Sequence, residues 1–371
     1  LKETNNRIVV IGGGLAGLVS AILLVKRGKN VLLIEKKNYP FHRVCGEYIS
    51  NEVLGFMRRE SIYPDIEVPI ITQFEFSDTA GGTARIPLGL GGFGISRYVL
   101  DDWLYQQALN LGVDVRTGNQ VSGIYFDQGT DQFVLSLSDL STIECEFVIG
   151  AFGKRSKLDM VLNRPFVRHR SPFIGVKYHI ETDFVRDTVG LYNFEGGYCG
   201  INAVEDGKFN LCYLASRNHL RHFGSIEEME QQILWRNPVL ERLFRDSTFL
   251  FDKPEVINEI NFEAKAPVEQ HLLMAGDAAG LITPLCGNGM AMAIRSGKFA
   301  AEAILSGKTR QEVESHYRLA WNAEFRQRLW VGRKVQGLFG AKGASILARN
   351  IIQHVPFLAR QIIKRTHGKP F

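Results

Sequence analysis

No apolar run in the 371-residue chain approaches the ~20 residues that a membrane-spanning helix needs. The opening, LKETNNR, lacks the apolar stretch of a secretory leader, so a cytoplasmic protein is expected. Cysteine is scarce and scattered. Cys45, Cys145, Cys199, Cys212 and Cys286 never form C-x-x-C. An odd, dispersed set argues against a disulfide framework, a zinc site or an iron–sulfur cluster, and suits a reducing compartment. His219 and His222 have no third ligand nearby, so a solvated face is expected there and no metal. Acid is missing from the last stretch: residues 325–371 hold ten Lys/Arg and no Asp or Glu. The whole chain carries +5, so the first 324 residues carry −5 (+5 less 10). No basic stripe with interleaved aromatics occurs elsewhere, and nucleic acid is not an expected partner. With 45% hydrophobic and 22% charged residues, the chain reads as globular and long enough for two joined domains.

What is present starts at Arg7–Glu35, RIVVIGGGLAGLVSAILLVKRGKNVLLIE. Ile8 to Ile11 is a short β-branched run suited to a buried parallel strand. Gly12, Gly14 and Gly17 follow as G-x-G-x-x-G. The first glycine permits the tight turn, the second lets backbone approach a pyrophosphate, and the third lets the helix pack on the strand. Leu15 to Arg27 reads as that helix and Gly28 as its C-cap. Val31 to Ile34 is the second strand. Glu35 stands 18 residues after Gly17, where an acid accepts from a ribose hydroxyl. The helix N-terminus would face the pyrophosphate. A structural glycine turn in another α/β protein is the alternative, and this stretch does not separate NAD from FAD.

Further on, Pro40 and Gly46 punctuate a loop, and Ser50 caps a short helix to Arg59. Ile70–Phe76 and Thr83–Leu88 read as strands, and the six glycines of Gly81–Gly94 as a flexible or close-approach loop. Ser96 caps a helix from Arg97 to about Leu111, and Val113–Arg116 is a strand returning to the first domain. Val121–Phe126, Phe133–Leu137 and Ile143–Ile149 read as an antiparallel meander. Phe173–Ile180, Val189–Phe194, Tyr198–Val204 and Phe209–Leu214 form a second strand-rich block, with a hairpin turn at Glu205–Gly207. Ser225 caps a helix ending near Asn237–Pro238. The expected division is residues 1–70, 94–165 and 266–320 for a nucleotide-binding domain, 71–93 and 166–265 for a substrate domain, and 321–371 for a helical tail.

A second motif lies in His271–Ile304, HLLMAGDAAGLITPLCGNGMAMAIRSGKFAAEAI. An apolar strand ends at Gly276–Asp277, where the acid can hold a ribityl hydroxyl. A turn passes Pro284. A helix starts near Gly289, and its N-terminus at Asn288–Ala291 can face negative charge on a reduced flavin.

Together these segments resemble the FAD-dependent oxidoreductases of the p-hydroxybenzoate-hydroxylase fold. GGGLAG with Glu35 matches the ADP-binding fingerprint, and GDAAGLITPLCGNGMAMA the flavin-ribityl motif. GISRYVLDDWL matches the family's arginine-bearing helix start, and FVIGAFGKRS its middle motif, with Phe152 where an Asp is usual. PFHRVCGEYIS resembles the Cys-Gly segment of the geranylgeranyl-reductase-like group. The resemblance implies an α/β protein: a discontinuous Rossmann-like FAD-binding domain, an inserted mixed β-sheet substrate domain and C-terminal helices. It implies non-covalent FAD, held by Gly12, Gly14, Leu15, Ala16, Gly17, Glu35, Lys36, Arg97, Val121, Gly153, Gly276, Asp277, Gly287, Asn288, Gly289 and Met290. It also implies that Arg43 and Cys45 face the isoalloxazine. NAD(P)H or another reductant would supply electrons. The reductase group's Tyr-x-Trp-x-Phe-Pro strand is reduced here to Tyr198 in YCGINAV, and the halogenase Trp-x-Trp-x-Ile-Pro strand is absent.

Three functions follow as alternatives: reduction of a double bond in a lipophilic substrate, hydroxylation of an aromatic ring (or a related halogenation), and flavin binding without turnover. Cys45 is a candidate reactive thiol or proton donor, or a small filler beside the ring. Tyr198 is a candidate substrate contact, or plain core. The tail from Ser345 to Arg365 is apolar on one side and cationic on the other. It reads as closing helices packed on the core or as a helix pair at a membrane surface.

Overall fold

A computed structural model describes residues 6–258, 260–283, 287–336 and 340–371 of the protein. At the centre of its first sheet lies β1 (Ile8–Ile11), parallel to β2 (Val31–Glu35) on one side and β10 (Phe147–Gly150) on the other. Beyond them β6 (Asp114–Thr117) and β18 (Leu272–Met274) add in parallel, and β17 (Val268–Glu269) closes one edge antiparallel. Both β1 and β2 are buried along their whole length, which is why they read as unbroken apolar runs. The helices α1 (Leu15–Val25), α3 (Arg97–Asn110) and α8 (Gly289–Ser306) pack with this sheet into one large core. Gly28, with φ +74°, sits just past the end of α1. The short α2 (Leu54–Arg59) follows a single 3-10 turn whose N-cap is Ser50.

The second sheet is mixed and has nine strands. In spatial order they are β15 (Thr248–Phe249), β11 (Phe173–Glu181), β14 (Phe209–Ser216), β13 (Gly197–Ala203), β12 (Thr188–Phe194), β4 (Ile70–Ser77), β5 (Thr83–Gly94) and β3 (Tyr48–Ser50). β16 (Glu255–Ile257) pairs with β11. Strand alternation sends Val176, Tyr178 and Ile180 of β11 under α6 (Ile226–Ile233) and α7 (Pro238–Asp246), behind α5 (Arg217–Phe223). Residues of the opposite face, including Leu191, Tyr198 and Leu214, look toward the first sheet's side of the molecule. A three-stranded meander of β7 (Val121–Asp127), β8 (Gln132–Leu137) and β9 (Thr142–Cys145) and the short α4 (Lys157–Val161) complete the middle. The chain closes with α9 (Arg310–Gln336), α10 (Lys342–His354) and α11 (Pro356–Thr366). Among the described residues no helix is long and apolar enough to cross a membrane.

Four expectations change. The stretch Ile143–Ile149 is two strands in two sheets. The chain breaks at Glu146, whose N–H donates to Arg7 O, and the apolar β10 seats beside β1. The glycine-rich Gly81–Gly94 is mostly strand, not loop. Its close-approach character holds: a Cβ at Gly94 would lie 1.8 Å from Ala203 O. Tyr48–Ser50, expected within the first domain's loop, pairs with β5 in the second sheet. Asn237–Pro238 starts a helix as well as following one, because Asn237 accepts from Val239 N–H and Pro238 fits the first helical position. The expected turn at Pro284, with Cys286, lies outside the described residues.

Candidate active site

One cavity of about 1070 Å³ runs from the C-terminal ends of β1 and β2 to the inner face of the second sheet. At its first end the three motif glycines act as their spacing demands. Gly12 has φ +105°, and a Cβ there would strike the Ala151 backbone. A Cβ on Gly17 would lie 1.9 Å from Gly12 O, so only glycine lets α1 pack this close. Gly14 differs: its missing Cβ opens onto the cavity, and the nearest group is the Arg97 guanidinium at 3.5 Å. α1 begins there without a side-chain cap, leaving its first N–H groups directed at the cavity.

Glu35 ends β2, buried. Its carboxylate accepts from Gly13 N–H at 2.8 Å and Lys37 N–H at 3.0 Å, so the acid also holds the glycine turn in shape. Arg43 ion-pairs with Glu35 at 3.2 Å and with Asp101 at 2.9 Å. The resemblance places Arg43 at the isoalloxazine; in the structure its guanidinium stands beside Glu35, the acid of the fingerprint. Asp101, buried on α3, also accepts from both Arg97 Nε and an Arg97 terminal nitrogen at 2.7 Å. Burial opposes the Arg97 charge, but Asp101 outweighs it and keeps the guanidinium firmly protonated. Asp101 was not singled out from sequence. Its signal was the i,i+4 spacing to Arg97.

Farther along, β18 delivers Gly276 and Asp277 to the cavity wall. Lys265 donates to the backbone oxygens of both Lys154 and Asp277 at 2.9 Å, tying the middle motif FVIGAFGKRS to the flavin-ribityl motif of His271–Ile304. Burial, with Arg164 nearby, pulls its ammonium down to about 8. α8 starts with Asn288 as N-cap, but the Asn288 side chain makes no capping bond. Its Nδ2 donates to Thr366 O at 3.1 Å, and its buried Oδ1 has no partner among the described residues. Gly287, Gly289 and Met290 line the cavity beside it. Two helix N-termini and an acid at each strand end thus face one elongated space. This donor set fits a dinucleotide with its anionic centre at α1 and a second electron-rich ring edge at α8.

Leu15, Ala16, Lys36, Cys45, Val121, Gly153 and Tyr198 also line the cavity. Of the expected site residues only Gly17 and Asn288 do not; they shape the helix starts behind it. Cys45 is half-buried in a segment pinned from two sides. Lys154 Nζ donates to Val44 O at 3.3 Å, and Val44 packs over Gly175 of β11. Just beyond, Glu47 is fully buried, with φ +53°. It binds Lys177 Nζ at 2.5 Å, His179 Nε2 at 2.7 Å and Arg97 N–H at 2.8 Å. One carboxylate therefore clamps the Cys45 segment to the second sheet and to the start of α3. The far end of the cavity is apolar, walled by Phe76, Leu191, Leu214, Leu281 and Ile352. Tyr198 is buried in this wall, and its hydroxyl donates to Gln336 Oε1 at 3.3 Å. Among the described residues no group of three or more His, Cys, Asp or Glu could hold a metal.

A sheet parallel except at its β17 edge, bearing a G-x-G-x-x-G cradle and joined through one cavity to a mixed sheet, has the architecture of the FAD-dependent oxidoreductases. Residues 5–177 match the family described as FAD binding domain, and the cofactor is FAD. The chain is 25% identical over 346 residues to a digeranylgeranylglycerophospholipid reductase of Methanosarcina acetivorans, covering 85% of this chain and 80% of that one. It is 22% identical over 326 residues to a menaquinone reductase of Mycolicibacterium smegmatis, covering 82% and 78%. The solved structure of a flavin-dependent brominase superposes with a TM-score of 0.76 at 17% identity, covering 96% of this chain and 92% of that one. At that identity the likeness speaks to fold alone.

Proposed function

We propose that the protein reduces a carbon–carbon double bond of a lipophilic, isoprenoid-type substrate. The observation that carries this reading is the single cavity that joins the dinucleotide cradle to an apolar chamber. The names of the two reductase relatives support it, since both denote enzymes acting on polyprenyl lipids. When bound and reduced, FAD supplies a hydride equivalent. The chain supplies the rest. Glu35 and the N-terminus of α1 bind the nucleotide half, and Asp277 and the N-terminus of α8 the flavin half. The apolar wall excludes water and aligns the chain of the substrate. Cys45 is the proton donor, through its Sγ, at the junction of the two halves.

The test is anaerobic. FAD-loaded protein is reduced with a stoichiometric amount of dithionite, and a soluble polyprenyl alcohol is added. Reoxidation of the flavin with formation of the saturated product is expected, slowed in Cys45→Ser. Oxygen uptake stimulated by an aromatic compound, with no anaerobic reoxidation, would replace this reading with the hydroxylase one. No reoxidation by either route would leave flavin binding without turnover.

A further inference from the structure

The two closing helices use only part of their apolar surface for packing. Ile352 of α10 and Ala359 of α11 are buried against the second sheet, and Ile351 and Ile363 join the same cluster. At the corner between the helices, Val355, Phe357 and Leu358 are left 49%, 70% and 45% exposed. Leu347 and Ile362 line the cavity yet are 61% and 39% exposed, so they stand on its rim. Aromatic and aliphatic side chains this bare, grouped at one corner, mark an interaction surface.

Charge says what covers it. Arg360, Lys364 and Arg365 are exposed on α11, and none has an ion-pair partner among the described residues. No acid occurs from residue 325 to the end, while the first 324 residues carry −5. The cations are interleaved with Phe357, Leu358 and Ile362 rather than set apart from them. A two-fold contact with a second copy would bring this cationic patch, which no acid of the tail neutralises, against the same patch of the other copy. An anionic bilayer accepts both features at once: the apolar corner enters the headgroup boundary, and the cations stay at the phosphate level.

We propose that the α10–α11 corner docks the protein onto anionic lipid bilayers, with the cavity rim at Leu347 and Ile362 turned to the lipid. Docking does not depend on the reductive chemistry, and its test reads no turnover.

The experiment is vesicle co-sedimentation of the full-length, FAD-loaded protein. Phosphatidylcholine vesicles are compared with and without phosphatidylglycerol. The wild type is expected in the pellet with anionic vesicles only, and release is expected as salt rises. Each cation at such a surface is worth about fivefold in affinity, so Lys364→Glu/Arg365→Glu should weaken binding at least twentyfold. Phe357→Ser/Leu358→Ser, at exposed positions, should abolish pelleting while leaving the bound-flavin spectrum unchanged. Equal pelleting with neutral vesicles, no pelleting at all, or full pelleting of the serine variant would overturn the proposal. A lipid-free dimer in sedimentation velocity that Phe357→Ser/Leu358→Ser disperses would assign the corner to a second copy instead.

Discussion

Glu47 shows how much one side chain can hold together. Burial pushes its carboxyl up, yet Lys177 and the His179 hydrogen bond outweigh burial and hold it at about 2. A carboxyl depressed in the folded state adds stability above its unfolded value near 4.5, and that stability is lost as pH falls toward about 2. Glu47→Ala would strand Lys177 as a buried unpaired charge and should cost about 3–5 kcal/mol by denaturant unfolding. Glu230 runs the other way. Burial raises it to about 7, and the hydroxyls of Tyr213 and Tyr178, donating at 2.7 and 3.0 Å, offset this only in part. Its protonated form is favoured on folding, so this contribution is full below about 4.5 and lost as pH rises through about 7. Glu230→Gln should flatten the corresponding fall in Tm, measured across about pH 4 to 8; an unchanged slope would remove Glu230 as its source. Neither group was legible in the sequence. Glu47 and its partners are 130 and 132 residues apart, and no local spacing announces such a pair.

Elements were more legible than side chains, because burial writes itself into periodicity. β1, α1 and β2 follow from one apolar run, three glycines and a second run. What the pattern concealed was partnership. A single apolar stretch at Ile143–Ile149 feeds two sheets, since hydrophobicity records burial but not which strand lies alongside. Asn237–Pro238 carries the marks of a helix start, but it directly follows another helix and so reads as an end. The tail left two readings, and packing by one side accounts for the first without consuming the apolar residues of the second. Lys265 joins two motifs through backbone oxygens, which no motif contains. Lys265→Met removes two charge-assisted hydrogen bonds, each contributing about 1.5–3 kcal/mol net. It should weaken FAD binding at least tenfold in a flavin-fluorescence titration, with the fold retained by circular dichroism. Gly14→Val fills the one fingerprint glycine of the three that opens on the cavity, and should abolish flavin retention on gel filtration.

At the scale of the whole molecule, the cavity is lined by residues of both sheets, so a cofactor bound in it would contact both. Binding to the folded state alone stabilises by about 2.7 kcal/mol at a hundredfold excess over Kd. Removing FAD should therefore lower Tm, and adding it back should restore the value; a Tm indifferent to FAD would mean the cavity does not bind it. The parallel sheet has a further consequence. β10 ends at Gly150, and its outer neighbour β18 does not begin until Leu272. A ribosome adding about 5–20 residues per second takes roughly 6–25 s to span that interval. Throughout it the nascent chain presents the apolar edge of β10 with no strand to cover it, next to a fingerprint turn that is already complete. The flavin cradle is thus half made long before β18 arrives to close it, and an unpaired apolar edge of this kind is open to aggregation for that interval.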